Sequence, residues 1–224
     1  MGCLNKPGGG LYPRLRIGAV LLAAGAGRRM GGVAKPLICL QGVPLIRRHL
    51  VALSGAGVDE VVIVTGYARD AIEAQVQGFP VTLAHNDAHE QGQEGSVRVG
   101  LGALNGPFDA VFVVLGDQPT IGAADLTELI AAFKKRPSGH VVVPVVGGQR
   151  GNPILLDDVA HAQILASDMN LGCRHLIERQ PELVHVHDTE NTRFITDLDT
   201  VEDVRALAER TGWRLDLPER EAVA

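Results

Sequence analysis

The sequence predicts an α/β fold with a mainly parallel sheet, on three observations. Apolar runs of strand length at 17–22, 60–65 and 110–115 alternate with segments of helical periodicity, and such alternation builds parallel sheets with right-handed crossovers. The runs Ile17 to Leu22 and Ala110 to Leu115 are apolar almost throughout, as strands covered on both faces are. Each is followed by glycines and charged residues, Gly25 to Gly31 and Gly116 to Gln118, where open α/β sheets bind ligands, beyond the C-terminal strand ends.

The 224 residues suit one large domain rather than two, with chain enough for a sizeable core. Apolar residues at 46% and charged residues at 21% are ordinary for a globular protein. A net charge of −5 argues against nucleic acid as the main partner, because phosphate-backbone binding needs a basic face. No apolar run approaches the ~20 residues of a membrane span. Cys3, Cys39 and Cys173 are odd in number and show no paired spacing, which suggests neither a disulfide framework nor a zinc site and fits a reducing cytoplasm. Residues 1–15 are rich in glycine and proline without an apolar core segment, so they read as a flexible leader and not a signal peptide. The domain is expected over 16–212, with a charged, peripheral tail at 213–224.

In chain order, the first strand runs into Gly25-Ala26-Gly27-Arg28-Arg29-Met30-Gly31, with Lys35 beyond. Small residues let the backbone approach a ligand and leave amides free for anions. Arg28, Arg29 and Lys35 add positive charge, so this strand-end turn suits a polyphosphate. A dinucleotide fingerprint needs a third glycine where Met30 stands, and no Walker loop is present. Val43 to Ala56 predicts a helix opened by Pro44, with His49 on the surface or at an interface. A strand at 60–65, a helix at 68–77 stopped by Gly78, and a short strand at 81–84 follow. His85 and His89 read as solvated loop residues. Ser96, ahead of the periodic Val97, Leu101 and Leu104, reads as a helix N-cap, a position where ligand oxygens also dock.

Ala110 to Leu115 predicts a central strand, placing Asp117 at the ligand-binding rim. Ala124 to Lys135 predicts a helix with basic residues in its last turn, and 140–146 a strand followed by a second glycine-and-arginine loop, Gly147 to Pro153. Asp168 to Arg179 predicts a helix, with Cys173 in the core or an interface. Residues 184–187 predict a half-exposed edge strand with His185 and His187 on one face. The segment from Phe194 is expected to end a strand, Thr200 and Asp203 to form a capping box, and Asp197 and Asp199 to face the same way.

The run Leu22-Ala23-Ala24-Gly25-Ala26-Gly27-Arg28-Arg29-Met30-Gly31 followed by Lys35 resembles the signature of MobA-like nucleotidyltransferases. Within them it most resembles the molybdenum cofactor cytidylyltransferases; guanylyl-transferring relatives usually carry glycine where this chain has Ala24. Gly92 to Ser96, Gly116-Asp117-Gln118-Pro119, Arg150-Gly151-Asn152-Pro153 and Asp197-Leu198-Asp199-Thr200 are similar to further family segments in the same order. The chain departs from the pattern at three points. Lys35 stands six residues after Arg29 rather than five, Asn152 replaces a histidine, and Val201 replaces a proline.

The resemblance covers residues 17–209 and implies a single Rossmann-like nucleotidyltransferase domain, three-layer α/β/α, with a mostly parallel sheet of about seven strands. It implies transfer of CMP from CTP to the terminal phosphate of molybdopterin carrying molybdenum, with release of pyrophosphate. It places CTP on Leu22, Ala23, Ala24, Gly25, Gly27, Arg29, Lys35, Gly95 and Ser96, and the acceptor on Arg150, Gly151 and Asn152. Arg29, Lys35 and Asp117 would be catalytic, and Asp117, Asp197 and Asp199 would hold Mg²⁺ (or Mn²⁺). Transient contact with molybdoenzyme maturation proteins is also implied. Another phosphorylated acceptor (a sugar, alditol or cofactor precursor) is the nearest alternative, and a dinucleotide-linked oxidoreductase is the alternative of a different class.

Overall fold

Every residue of β1 (Ile17–Ala23) is buried, as its unbroken apolar run requires. The computed structural model describes residues 14–167 and 172–218. After β1 come β2 (Cys39–Leu40), β3 (Val43–Pro44), α1 (Leu45–Gly55), β4 (Glu60–Thr65), α2 (Arg69–Gln75), β5 (Thr82–His85) and α3 (Gln93–Gly102). The chain continues through β6 (Ala110–Leu115), α4 (Ala123–Lys135), β7 (Val141–Val146), β8 (Gln149–Arg150), β9 (Ile154–Leu156), α5 (Asp158–Ala166), α6 (Cys173–Arg179), β10 (Val184–Asp188), α7 (Val201–Thr211) and β11 (Leu215–Asp216).

The main sheet has the order β10-β7-β9-β6-β1-β4-β5, with β8 paired onto β7. Its pairings are parallel except those of β8 and β9. Side chains alternate along the central strands. Leu21, Ile63, Phe112 and Val114 pack on one face with Leu50, Ile72 and Leu129 from α1, α2 and α4. Val20, Leu22, Val62 and Val113 pack on the other with Leu101, Ile164 and Leu176 from α3, α5 and α6. The result is the expected α/β/α sandwich. From β1 the chain winds outward through β4 and β5, then returns to β6 on the other side of β1. That reversal makes the C-terminal ends of β1 and β6 a topological switch point, the usual ligand crevice of such sheets.

Several elements differ from expectation for local reasons. The strand expected at Phe194 is a single 3₁₀ turn, Thr192–Ile195. The helix expected from Asp168 begins at Cys173, and residues 168–171 lie outside the described residues. Ser96 is not an N-cap; α3 starts a turn earlier behind Gly92, and the Ser96 hydroxyl accepts a hydrogen bond from Asn86 Nδ2 at 2.9 Å. His49 is 2% exposed rather than on the surface, and burial, then the Arg48 charge, lowers its pKa to about 4. Helix α5 escaped prediction although Asp157 caps it by accepting from the amides of Val159 and Ala160. The tail is not wholly peripheral: β11 pairs with β2, and Trp213 and Leu215 pack on the cluster of Met30, Ile38, Leu45 and Leu207. Of the expected leader, residues 1–13 lie outside the described residues, as do 219–224 of the tail. Among the described residues no helix is long and apolar enough to cross a membrane.

Candidate active site

The loop after β1 is built on Gly27. Its φ is +55°, and a Cβ there would stand 1.9 Å from the Val33 carbonyl oxygen, so a larger residue cannot replace it. The Gly27 carbonyl accepts from the amides of Met30 (2.8 Å) and Gly32 (3.2 Å), and Met30 anchors the turn in the core. Gly31 and Gly32 both take positive φ, 68° and 88°. They lie in the stretch that is one residue longer than the family pattern, and Lys35 still reaches the strand ends. Its Nζ donates to Asp117 Oδ2 at 3.0 Å and to Asp199 Oδ1 at 2.5 Å. Arg29 Nη1 donates to the other Asp199 oxygen at 2.5 Å.

The carboxylates are brought together by backbone. Gly116 lets β6 close on β1: a Cβ there would meet the Leu22 carbonyl oxygen at 2.8 Å and Pro36 Cγ at 2.9 Å. The carbonyl of Asp117 accepts from the amide of Leu198 at 3.0 Å, docking the segment with Asp197 and Asp199 onto the end of β6. Asp203 Oδ2 accepts from the amides of Asp199 (3.0 Å) and Thr200 (2.7 Å), so the predicted capping box also orients Asp199. Asp197 is within electrostatic range of both other carboxylates. Burial first, then the charges of Asp117 and Asp199, raises its pKa above the usual carboxylate range. Asp199 shifts downward, chiefly through the hydrogen bond from Lys35. Burial alone would lower the Lys35 pKa, but Asp117 and Asp199 outweigh it and hold it above normal.

These groups line a cavity of about 360 Å³. Of the residues expected to bind nucleotide, Leu22, Ala23, Ala24, Gly25, Gly27, Arg29, Lys35 and Ser96 all lie on its wall. Gly95 does not; it faces Asn86, whose Nδ2 would lie 3.5 Å from a Cβ at that position. His89, Gly92 and Gln93 take the place opposite the glycine loop. His89 was expected in solvent, but the loop turns inward on the buried Asn86, which fixes both Ser96 and the Ala88 amide. Asp199 lines the cavity with Asp117, whereas Asp197 does not.

A second cavity, about 440 Å³, adjoins the first through the shared residues Gln93 and Leu115. The expected acceptor residues Arg150, Gly151 and Asn152 line it, with Cys173 and Arg174. Arg150 and Arg174 both pair with Glu178, at 3.1 and 2.9 Å. Gly151 is required by packing, since a Cβ there would stand 2.7 Å from the Phe194 carbonyl oxygen. Gln118, unassigned by sequence reasoning, is 2% exposed. Its Nε2 donates to the carbonyls of Asn152 (3.1 Å) and Phe194 (3.0 Å), tying the second cavity to the Asp197 segment. Burial pushes the Cys173 thiol up to about 12, which favours the protonated thiol over the thiolate that a nucleophile needs.

Among the described residues no group of three or more histidine, cysteine or acidic side chains is assembled to hold a metal ion. Two carboxylates nevertheless converge on one cation, and Asp117 Oδ1 is buried without a hydrogen-bond partner. This donor set fits Mg²⁺ or Mn²⁺, which commonly take one or two carboxylates and complete their shell with substrate phosphates.

Residues 19–185 match the MobA-like NTP transferase domain. The chain belongs to that family. Among MobA-like and related proteins, nicotine blue oxidoreductase of Paenarthrobacter nicotinovorans is 28% identical over 84% of this chain and 94% of its own length. Bifunctional protein GlmU of Pelobacter propionicus is 33% identical over 61% of this chain but only 29% of its own, so the chain spans less than a third of that relative. The crystal structure of Rv0371c from Mycobacterium tuberculosis superposes with a TM-score of 0.73 at 23% identity, covering 87% of this chain and 98% of that one. Its manganese complex superposes with a TM-score of 0.68 at 21% identity, over 87% and 98%. In this MobA-like chain, four sequence-distant segments therefore meet at the β1–β6 switch point: the first glycine loop, the start of α3, the end of β6 and the Asp197–Thr200 stretch.

Proposed function

We propose that the protein transfers CMP from CTP to the terminal phosphate of a molybdopterin-type acceptor, releasing pyrophosphate. The observation that carries this reading is the convergence of Arg29 and Lys35 with Asp117 and Asp199 beside a wall of small residues. A phosphate nucleophile needs no strong base, so the residues must align the reactants and neutralise charge. Arg29 and Lys35 would bind the β- and γ-phosphates and hold the departing pyrophosphate. Asp117, with Asp197 and Asp199, would hold Mg²⁺ or Mn²⁺, which supplies charge neutralisation at the α-phosphate. Ala23, Ala24 and Gly25 would shape the base pocket, with Ser96 opposite. Arg150, Gly151 and Asn152 would receive the acceptor in the adjoining cavity. Asn152, where relatives carry histidine, leaves a neutral side chain there.

Pyrophosphate release measured with each NTP, with and without molybdopterin, tests the reading. Release with CTP that requires molybdopterin is expected. Release with another phosphorylated acceptor would keep nucleotidyl transfer and replace the acceptor. The oxidoreductase reading rests on one observation, the name of the relative matched over 94% of its length. Met30 in place of a third glycine and the paired carboxylates weigh against it, and coenzyme titration with NADH and NADPH would decide.

A further inference from the structure

The cations and carboxylates of the first cavity occupy one another. Lys35 Nζ bridges Asp117 Oδ2 and Asp199 Oδ1, and Arg29 takes the second oxygen of Asp199. The two cations are unequal: the Arg29 side chain is 72% exposed, that of Lys35 only 16%. Solvent therefore screens the Arg29 pair, while the Lys35 ammonium sits where the two carboxylates converge. A divalent ion needs those oxygens directly, Mg²⁺ at roughly 2.0–2.1 Å. It cannot share them with an ammonium without strong like-charge repulsion.

We propose that Lys35 is the resident counter-ion of Asp117 and Asp199, so that a divalent metal ion enters the site only when a triphosphate draws the ammonium away. This rests on the nucleotidyl-transfer reading and adds an order of occupancy to it. Three carboxylates and two cations leave the local site with a net charge of −1, counted over Asp117, Asp197, Asp199, Arg29 and Lys35. Lys35 sits beside the glycine loop on the same cavity wall, and its flexible stem lets the ammonium pivot from carboxylate to phosphate. Once it does, Asp117 and Asp199 regain free oxygens beside a polyanion that brings its own metal ligands. Without nucleotide Lys35 stays paired with Asp117 and Asp199, and the site binds metal poorly.

The test is Mn²⁺ binding to the nucleotide-free protein, read as loss of the free-ion signal in electron paramagnetic resonance. Lys35→Gln should bind Mn²⁺ about tenfold or more tightly than wild type, the scale expected when one nearby positive charge is removed even in a water-like dielectric. Lys35→Arg, which keeps the charge, should bind as weakly as wild type. Adding Asp117→Asn to Lys35→Gln should abolish the gain and so locate it. Circular dichroism verifies folding, and Lys35→Met replaces Lys35→Gln where the amide disturbs it. Equal or weaker Mn²⁺ binding in both neutral variants overturns the inference. If wild type then still binds Mn²⁺ with CTP in an Asp117-dependent way, the nucleotidyl-transfer reading survives that result. If no variant binds Mn²⁺ even with CTP, both fall.

Discussion

At the scale of single residues, Ala24 shows how a small group can set substrate choice. It is 4% exposed and lines the first cavity, and its Cβ lies toward Gly66, where an added Cβ would approach to 2.9 Å. Ala24→Gly removes a methyl from a wall with no slack on its far side. Under the cytidylyl reading, preference for CTP over GTP should fall by about tenfold without inverting, since shape discrimination of this kind amounts to about 1–3 kcal/mol. Competition between equal CTP and GTP measures it; an unchanged ratio removes Ala24 from base selection. The Lys35–Asp199 pair makes a second prediction, in pH. Asp199 titrates below its ordinary value, chiefly through the Lys35 hydrogen bond, so its share of stability is present above about pH 4 and is lost as pH falls through the depressed pKa. Lys35 titrates above its ordinary 10.5 because the two carboxylates outweigh its burial, so its share is present below that value and is lost as pH rises through the raised pKa. Urea unfolding of wild type and Lys35→Met across pH 3–11 should differ most at mid-range, the difference narrowing toward both extremes. A constant difference would show that packing, not charge, sets the Lys35 contribution.

At the scale of elements, legibility followed length and periodicity. Strands β1, β4 and β6 announced themselves because each is an apolar run buried on nearly every residue. Strands β8 and β9, of two and three residues, are too short to show a period, and their places depend on partners brought from elsewhere in the chain. The start of α3 was misread because Ser96 has cap chemistry, yet its hydroxyl is held by Asn86 across the turn, a tertiary contact that local sequence does not reveal. Site residues on strand ends were legible for the same reason the strands were. Gly95 was placed by motif alone and Asp197 by motif together with the alternation it shares with Asp199, and neither lines the cavity. The union of β1 and β6 carries its own test at Gly116, which sits between the Leu22 carbonyl and Pro36. Gly116→Ala should destabilise the fold by about 1–3 kcal/mol, the usual penalty for overpacking. It should also lower activity by more than stability explains, because Pro36 adjoins Lys35. Urea midpoints and kcat at a temperature where the variant is fully folded separate the two effects; native stability would mean that the strand ends have room to move.

At the scale of the whole molecule, the chain reversal between β1 and β6 brings four segments from distant parts of the sequence to one crevice. A ligand in that crevice bridges the glycine loop, the start of α3, the end of β6 and the Asp199 segment, and so opposes unfolding of the domain. Ligand that binds only the folded state stabilises it by about 2.7 kcal/mol at a hundredfold excess over Kd, worth roughly 5–10 °C in Tm for a domain of about this size. CTP with Mg²⁺ should therefore raise Tm by that order, GTP with Mg²⁺ by less. Asp117→Asn should lose most of the CTP shift if the metal-bound triphosphate is the ligand. NADH should leave Tm where it stands, because Met30 occupies the position of the third glycine that a pyrophosphate-binding turn needs. A thermal-shift series over these ligands discriminates the readings: a shift with NADH that exceeds the one with CTP would transfer the crevice to redox chemistry, leaving the fold and its switch point intact but emptying Arg29 and Lys35 of their assigned phosphates.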